Sequence, residues 1–159
     1  MTSSTHHFRL GGGTEIPAVG FGTFLISPSD AAQAVSSAIE IGYRHVDTAE
    51  VYQNEEAVGA GIQAGLAGTG LKREQLFVTT KLWPGVAEWN EQTKSGEQTI
   101  EACEQSLARL GLDYVDLYLI HSPHAGAKRV EQWEALLELK RRGKVRAVGA
   151  GFARPRPLQ

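Results

Sequence analysis

Asp47, Tyr52, Lys81 and His121 are four ionisable side chains of four different types, and three of them stand at the end of a short apolar run. Side chains of these types move protons, and a lysine can also form a Schiff base with a carbonyl. Asp47 closes the run from Arg44, Lys81 closes the run from Leu76, and His121 follows Val115 to Ile120. Tyr52 lies in the stretch just beyond Asp47. Each has an ordinary reading by itself. Lys81 suits a solvated strand end, Tyr52 a half-buried loop aromatic, and Asp47 before Thr48 a turn or a cap. His121 before Ser122 and Pro123 suits a loop histidine, and Trp83 suits plain core. Packing alone does not require four such types on successive strand ends.

The elements that must position these residues follow from periodicity. Short apolar strands alternate with longer amphipathic helices, which argues for an α/β fold with a parallel sheet. Phe8 to Ile16 reads as a hairpin around Gly11, Gly12 and Gly13, and Val19 to Gly22 as a short strand. Pro28, Ser29 and Asp30 open a helix that carries Ala34, Val35, Ala38 and Ile39 and stops at Gly42. Asn54 opens a second helix with Val58, Ile62 and Leu66 on one face. A third places Ile100, Cys103, Leu107 and Leu110 on one stripe before Gly111. Val130, Trp133 and Leu137 line a fourth, with Glu138 spaced to pair with Arg142 and Gly143 as its stop. Leu117-Tyr118-Leu119-Ile120 is the nearly unbroken apolar run of a strand buried on both faces. Val145 to Val148 adds a fifth strand. In parallel α/β folds the C-terminal strand ends converge on one rim, and that is where Asp47, Lys81 and His121 fall.

Longer stretches carry a resemblance. Gly42-Tyr43-Arg44-His45-Val46-Asp47-Thr48-Ala49 with Tyr52-Gln53-Asn54-Glu55, and the run from Leu107 to Pro123, resemble the two signatures of the aldo-keto reductases. Thr80-Lys81-Leu82-Trp83 and Gly20-Phe21-Gly22-Thr23-Phe24 resemble further strand ends of that family, and the similarity runs from about Phe8 to Gly149. The resemblance implies an α/β fold of the (β/α)8 TIM-barrel type. Here it would be the N-terminal part only, about five parallel strands and four helices plus an N-terminal β-hairpin. Residues 1–153 would form this partial barrel and residues 154–159 an irregular tail. The implied activity is that of an NADP-dependent oxidoreductase that reduces aldehydes and ketones to alcohols. Tyr52 would give a proton to the carbonyl oxygen; an ammonium beside a phenol favours the phenolate and makes the phenol a better donor. Lys81 would supply that charge, Asp47 would hold Lys81, and His121 would orient the substrate oxygen. Gly22, Thr23, Phe24 and Asp47 would bind the cofactor, NADPH. Phe24, Trp83 and His121 would contact a small carbonyl substrate.

The family continues beyond Gly149 with Val-Ser-Asn-Phe, where Ala150-Gly151-Phe152-Ala153 stands here. A closed barrel of this type usually takes about 250 residues, against 159. The expectation is therefore a C-terminally truncated or alternative-frame form of the family. Its inner sheet face and edges would be open to water, and it would self-associate through the open half-barrel. Two alternatives stand beside the reductase: a non-catalytic chain that cannot hold cofactor and pairs with another chain, and a Schiff-base enzyme acting through Lys81.

Bulk properties exclude other classes. A formal net charge of -2 gives no reason to expect nucleic acid or an anionic membrane as partner. No run approaches the roughly 18 apolar residues of a membrane span, and the polar start from Met1 to Phe8 does not read as a signal peptide. Cys103 is the lone cysteine, which excludes an internal disulfide and suggests a reducing cytoplasm. His121 and His124 have no second cluster at metal-ligand spacing, so no metal site is expected. Gly59-Ala60-Gly61-Ile62-Gln63-Ala64 fits a dinucleotide-binding pattern in form only. It falls inside a helix, whereas a phosphate cradle needs a strand-to-helix turn.

Overall fold

The computed structural model describes residues 6–151. A two-stranded antiparallel hairpin, β1 (His7–Arg9) and β2 (Glu15–Pro17), precedes the main sheet. Five strands then run parallel in chain order: β3 (Phe21–Gly22), β4 (His45–Asp47), β5 (Phe77–Leu82), β6 (Val115–Ile120) and β7 (Val145–Ala150). The intervening helices are α1 (Pro28–Glu40), α2 (Glu55–Thr69), α3 (Gly96–Leu110) and α4 (Arg129–Arg141). The architecture matches the expected hairpin, five parallel strands and four helices. The strand expected from Val19 pairs only at Phe21 and Gly22. β7 runs on past Val148 to Ala150, which pairs with Ile120. The expected tail, 154–159, lies outside the described residues.

Most of the core lies between the sheet and the helices. Val78, Leu82, Tyr118, Ile120 and Val145 on the strands meet Val35, Ile39, Val58, Ile62, Leu107, Leu110, Leu136 and Leu139 on the helices. All six residues of β5 are buried, as a strand covered on both faces requires. Cys103 belongs to this core with no exposed surface, and burial pushes its thiol up to about 12. The glycines of α2 let neighbouring helices approach. A Cβ on Gly59 would stand 2.4 Å from the Leu110 carbonyl oxygen, and one on Gly61 would stand 2.5 Å from that of Ala32. Packing accounts for the pattern that mimics a nucleotide loop.

Three expectations are corrected. The inner face of the sheet is not open along its whole length. Phe77, Leu117 and Ala147 form a second buried cluster there, covered by Leu10 and Ile16 of the hairpin region. The fourth helix presents a different face to the core. Val130, Trp133 and Leu137 are exposed, and Gln132, Ala135, Leu136 and Leu139 are buried. The buried set has the same helical spacing, but a glutamine at its head disguises it. That glutamine is satisfied, because its amide donates to the carbonyls of Pro84 (3.2 Å) and Lys94 (2.9 Å). Finally, the start of α1 lacks a side-chain cap. Pro28 opens the helix, and the Ser27 hydroxyl donates to the Asp30 carboxylate (2.6 Å) instead. The expected Glu138–Arg142 pair is present at 2.7 Å, and Gly111 ends α3 in the left-handed conformation.

Among the described residues, no helix is long and apolar enough to cross a membrane, and no group of His, Cys, Asp or Glu is placed to hold a metal ion.

Candidate active site

Parallel register brings the polar strand ends together. Gly22 pairs with Asp47, Asp47 with Thr79, and Lys81 with Leu119, so three successive strands deliver Gly22, Asp47 and Lys81, at or next to their last positions, to one rim. His121 joins them because its backbone N–H donates to the Leu82 carbonyl (2.9 Å), carrying the β5–β6 pairing one residue beyond the strand.

Lys81 is the centre of the cluster. Its ammonium donates to Asp47 Oδ1 (2.5 Å), to the Thr48 carbonyl (2.9 Å) and to Tyr52 Oη (3.4 Å). An ammonium has three protons, and all three have acceptors here. The Lys81 side chain is largely buried, whereas Asp47 remains a third exposed. Tyr52 sits on a single turn, Glu50–Tyr52, which Gln53 ends in the left-handed conformation (φ +56°). Its ring lies 5.1 Å from that of Phe24 and 5.7 Å, edge to face, from that of His121. The His121 ring in turn meets Trp83 edge to face at 5.8 Å.

Burial holds the His121 imidazole below its ordinary range, with the Lys81 charge adding to the effect and Asp47 opposing it. The ring is therefore neutral at pH 7. Its Nδ1 is buried and has no hydrogen-bond partner among the described residues. His45 lies beneath the cluster, bonded through Nε2 to Thr79 Oγ1 (2.9 Å). Burial lowers its affinity for a proton too; Asp47 opposes that shift and Lys81 adds to it.

The rim thus gathers all four ionisable residues with Phe24 and Trp83. Gly22 is at the same level, with open space where a Cβ would stand. Thr23 differs from the other expected cofactor contacts. It is fully buried, and its hydroxyl donates to Thr48 Oγ1 (2.9 Å).

Several supporting residues escaped the sequence reading. Asn54, expected to open α2, makes no side-chain cap. Its amide instead donates to the carbonyls of Thr23 (2.9 Å) and Ile26 (3.0 Å), tying the turn that carries Tyr52 to the loop after β3. Glu50 accepts from the Trp83 backbone N–H and from Lys94 Nζ (3.0 Å), which fixes the Trp83 segment. Behind the rim, buried Glu55 accepts from Thr80 Oγ1 (2.5 Å), Ser106 Oγ (3.1 Å) and the Arg109 guanidinium (2.7 Å). Asn54 and Glu55 stand inside the signature stretch, and that position was the available signal. Glu50 and Lys94 are ordinary surface residues in the sequence, with no periodicity to mark them.

A family model described as "Aldo/keto reductase family" matches residues 18–159. The chain belongs to the aldo/keto reductase family. The match continues past Gly149, where the motif resemblance ends. Among curated relatives, a glyoxal reductase of Bacillus subtilis is 42% identical over 149 residues, covering 93% of this chain and 50% of that protein. A glycerol 2-dehydrogenase (NADP(+)) of Saccharomyces cerevisiae is 39% identical, covering 94% of this chain and 52% of its own length. The chain spans about half the length of the curated relatives it matches. A solved Bombyx mori aldo-keto reductase in complex with NADP superposes with a TM-score of 0.82 at 39% identity, over 92% of this chain and 50% of that one. The fold is accordingly the corresponding portion of a family barrel.

Proposed function

We propose that this chain carries the carbonyl-reducing centre of an NADP-dependent aldo-keto reductase. One observation supports this above the others: a single ammonium, Lys81 Nζ, joins the Asp47 carboxylate to the Tyr52 hydroxyl beside a neutral imidazole. When bound, NADPH supplies a hydride to the carbonyl carbon. Tyr52 Oη donates a proton to the carbonyl oxygen as negative charge develops there. Lys81, charged and within 3.4 Å, stabilises the phenolate that remains. Asp47 and the Thr48 carbonyl hold that ammonium in place. His121, neutral at pH 7, donates a hydrogen bond that orients the substrate oxygen.

The residues at the rim fit the nicotinamide end of the cofactor. The bare backbone of Gly22 admits a flat ring against the sheet end, because nothing lies within 4 Å of its missing side chain. Asp47 pairs with Gly22 at that level, and Thr23 acts from behind: its N–H donates to the Asp47 carbonyl, its own carbonyl accepts from Asn54 and its hydroxyl donates to Thr48, so it shapes the floor of the site. Relatives that bear the names glyoxal reductase and D/L-glyceraldehyde reductase support small carbonyl compounds as the substrate class. The free buried thiol of Cys103 suits a reducing cytoplasm. Among the described residues β3 and β7 are edge strands, each paired on one side, which supports self-association through the open half-barrel.

The test is titration of the purified chain with NADPH, followed by quenching of tryptophan fluorescence. Saturable binding that is lost with NADH, together with NADPH-dependent reduction of glyoxal, is the expected result. No quenching at millimolar cofactor would remove the reading for this chain.

A further inference from the structure

Carbonyl reduction requires Tyr52 and His121 to meet the same oxygen, so something must set the distance between them. Tyr52 Oη has one hydrogen-bond partner among the described residues, Lys81 Nζ at 3.4 Å, and that bond is the longest of the three the ammonium makes. The placement of the phenol is therefore set mainly through its backbone. Tyr52 is the last residue of the single turn Glu50–Tyr52. The Tyr52 N–H closes that turn on the Ala49 carbonyl (3.1 Å), and the Gln53 N–H closes it on the Glu50 carbonyl (3.2 Å). A turn this short moves as a unit, and whatever holds Glu50 also holds Tyr52.

The Glu50 side chain is only 14% exposed, and its carboxylate accepts from the Trp83 N–H and from Lys94 Nζ (3.0 Å). That N–H belongs to the peptide joining Leu82 to Trp83. The other polar atom of the same peptide, the Leu82 carbonyl oxygen, accepts from the His121 N–H (2.9 Å). A peptide unit is planar and stiff. One rigid plate thus carries the tyrosine turn on its N–H edge and the histidine on its carbonyl edge. Lys94 closes the arrangement, because its Nζ also donates to the Trp83 carbonyl (2.5 Å), so both backbone groups of Trp83 are held by one ion pair. Lys94 is itself anchored: its N–H donates to the Pro84 carbonyl (3.0 Å), and its carbonyl accepts from the Gln132 amide (2.9 Å). Gly85 keeps this loop tight, with φ +82° and a Cβ position 2.4 Å from the Gln92 carbonyl oxygen.

We propose that Glu50 is a positioning residue for the reaction: through the Leu82–Trp83 peptide it sets the separation of the Tyr52 hydroxyl from the His121 imidazole, and Lys94 locks it there. This deepens the carbonyl-reductase reading and rests on it for the roles of the two side chains; where they stand follows from the hydrogen bonds alone. Glu50 touches neither of the two side chains it aligns, so its effect on the chemistry is wholly one of placement.

The test uses the full 159-residue chain with no ligand added, and reads the nuclear Overhauser cross-peaks between the Tyr52 and His121 rings, which meet edge to face at 5.7 Å. Steady-state reduction of glyoxal with NADPH is the second readout, and far-ultraviolet circular dichroism establishes that each variant is folded. Glu50→Ala should weaken the cross-peaks several-fold and lower kcat by about a hundred-fold with KM little changed, as a misplacement of about 1 Å does. Glu50→Gln keeps an oxygen that accepts from Trp83 and Lys94, and it should retain the cross-peaks and most of the rate. Lys94→Met removes the lock and leaves the bond to Trp83. It should fall between the two, and it is read in place of Glu50→Ala should that variant not fold. Unchanged cross-peaks in folded Glu50→Ala, or a Glu50→Gln as damaged as Glu50→Ala, would overturn the proposal. Weakened cross-peaks in a chain that reduces no carbonyl would uphold the positioning and remove the reductase reading. Reduction at full rate by Glu50→Ala with its cross-peaks intact would do the reverse.

Discussion

Thr80 and Lys81 are neighbours on β5, and each bonds a carboxylate on the opposite side of the sheet from the other. Thr80 meets Glu55, which is almost wholly buried and also accepts from Ser106 and the Arg109 guanidinium. Lys81 meets Asp47, which keeps a third of its surface in water and shares its ammonium with a tyrosine hydroxyl. The first cluster is closed: Glu55 uses both oxygens on groups that belong to the framework. The second is open, with its tyrosine and histidine both partly exposed. Both are close ion pairs in which one partner is largely buried and the other a third or more exposed, but only the open one includes a tyrosine hydroxyl at the rim. The difference lies in what each pair faces: Glu55 meets framework groups alone, whereas the Lys81 ammonium also reaches a tyrosine hydroxyl at the rim.

The largest expected effect concerns the open cluster. Tyr52→Phe removes one oxygen and should lower the rate of carbonyl reduction by about a hundred- to ten-thousand-fold, with the urea midpoint unchanged. Steady-state kinetics on the variant checks the loss. A rate close to that of the unaltered chain would mean that the open cluster delivers no proton.

Next is the closed cluster. Arg109→Met strands a buried carboxylate and should destabilise the fold by about 3–5 kcal/mol. Lys81→Met leaves an Asp47 that water can reach, so its cost should stay below about 1 kcal/mol even though reduction is lost. Urea denaturation of the two variants side by side decides the matter. Equal losses of stability would erase the distinction drawn between the pairs.

Acid should act through the histidines. Both His45 and His121 resist protonation in the native state, chiefly because they are buried. The unfolded chain takes up those protons near the ordinary imidazole value, so below it the unfolded state holds more protons than the native one. Stability therefore falls as pH drops below about 6.5 and is level above it. His45→Gln should flatten that slope more than His121→Gln, because His45 lies deeper, and urea midpoints between about pH 5.5 and 7.5 would measure it. A slope that stays the same in both variants would place the acid sensitivity elsewhere.

The smallest effect tests the role of satisfied bonds from the other direction. Tyr118 is fully buried, and its hydroxyl has no partner among the described residues. Tyr118→Phe should leave stability unchanged or raise it by about 1 kcal/mol. A clear loss in thermal unfolding would point to a bound water that serves this hydroxyl.

Much of this arrangement was legible in the sequence. Strand ends and stripes placed Asp47, Lys81 and His121 on one rim, because alternation and helical spacing are local properties that a chain displays directly. α3 read correctly since Cys103, Leu107 and Leu110 are all apolar. α4 misled because two stripes compete in Arg129–Arg141, and the buried one begins with Gln132. Whether a glutamine can be buried depends on carbonyls far away in sequence, at Pro84 and Lys94, and no local pattern announces them. The same holds for Glu50 and for Asn54, whose partners are chosen by tertiary approach. The cover that the hairpin gives to Phe77 and Leu117 was missed for a related reason: packing by Leu10 and Ile16 is a fact of three-dimensional proximity.

Cys103 carries a further consequence. A sulfur with no surface and a thiol pushed up to about 12 is almost inert while the chain is folded. It sits on α3, against the middle of the sheet. An aromatic disulfide reagent can reach it only when that helix lifts away, so the colour released over time is a clock of opening events. Because there is one thiol in the chain, the clock has a single hand, and it reads the breathing of the scaffold beneath the rim without any label having to be built in.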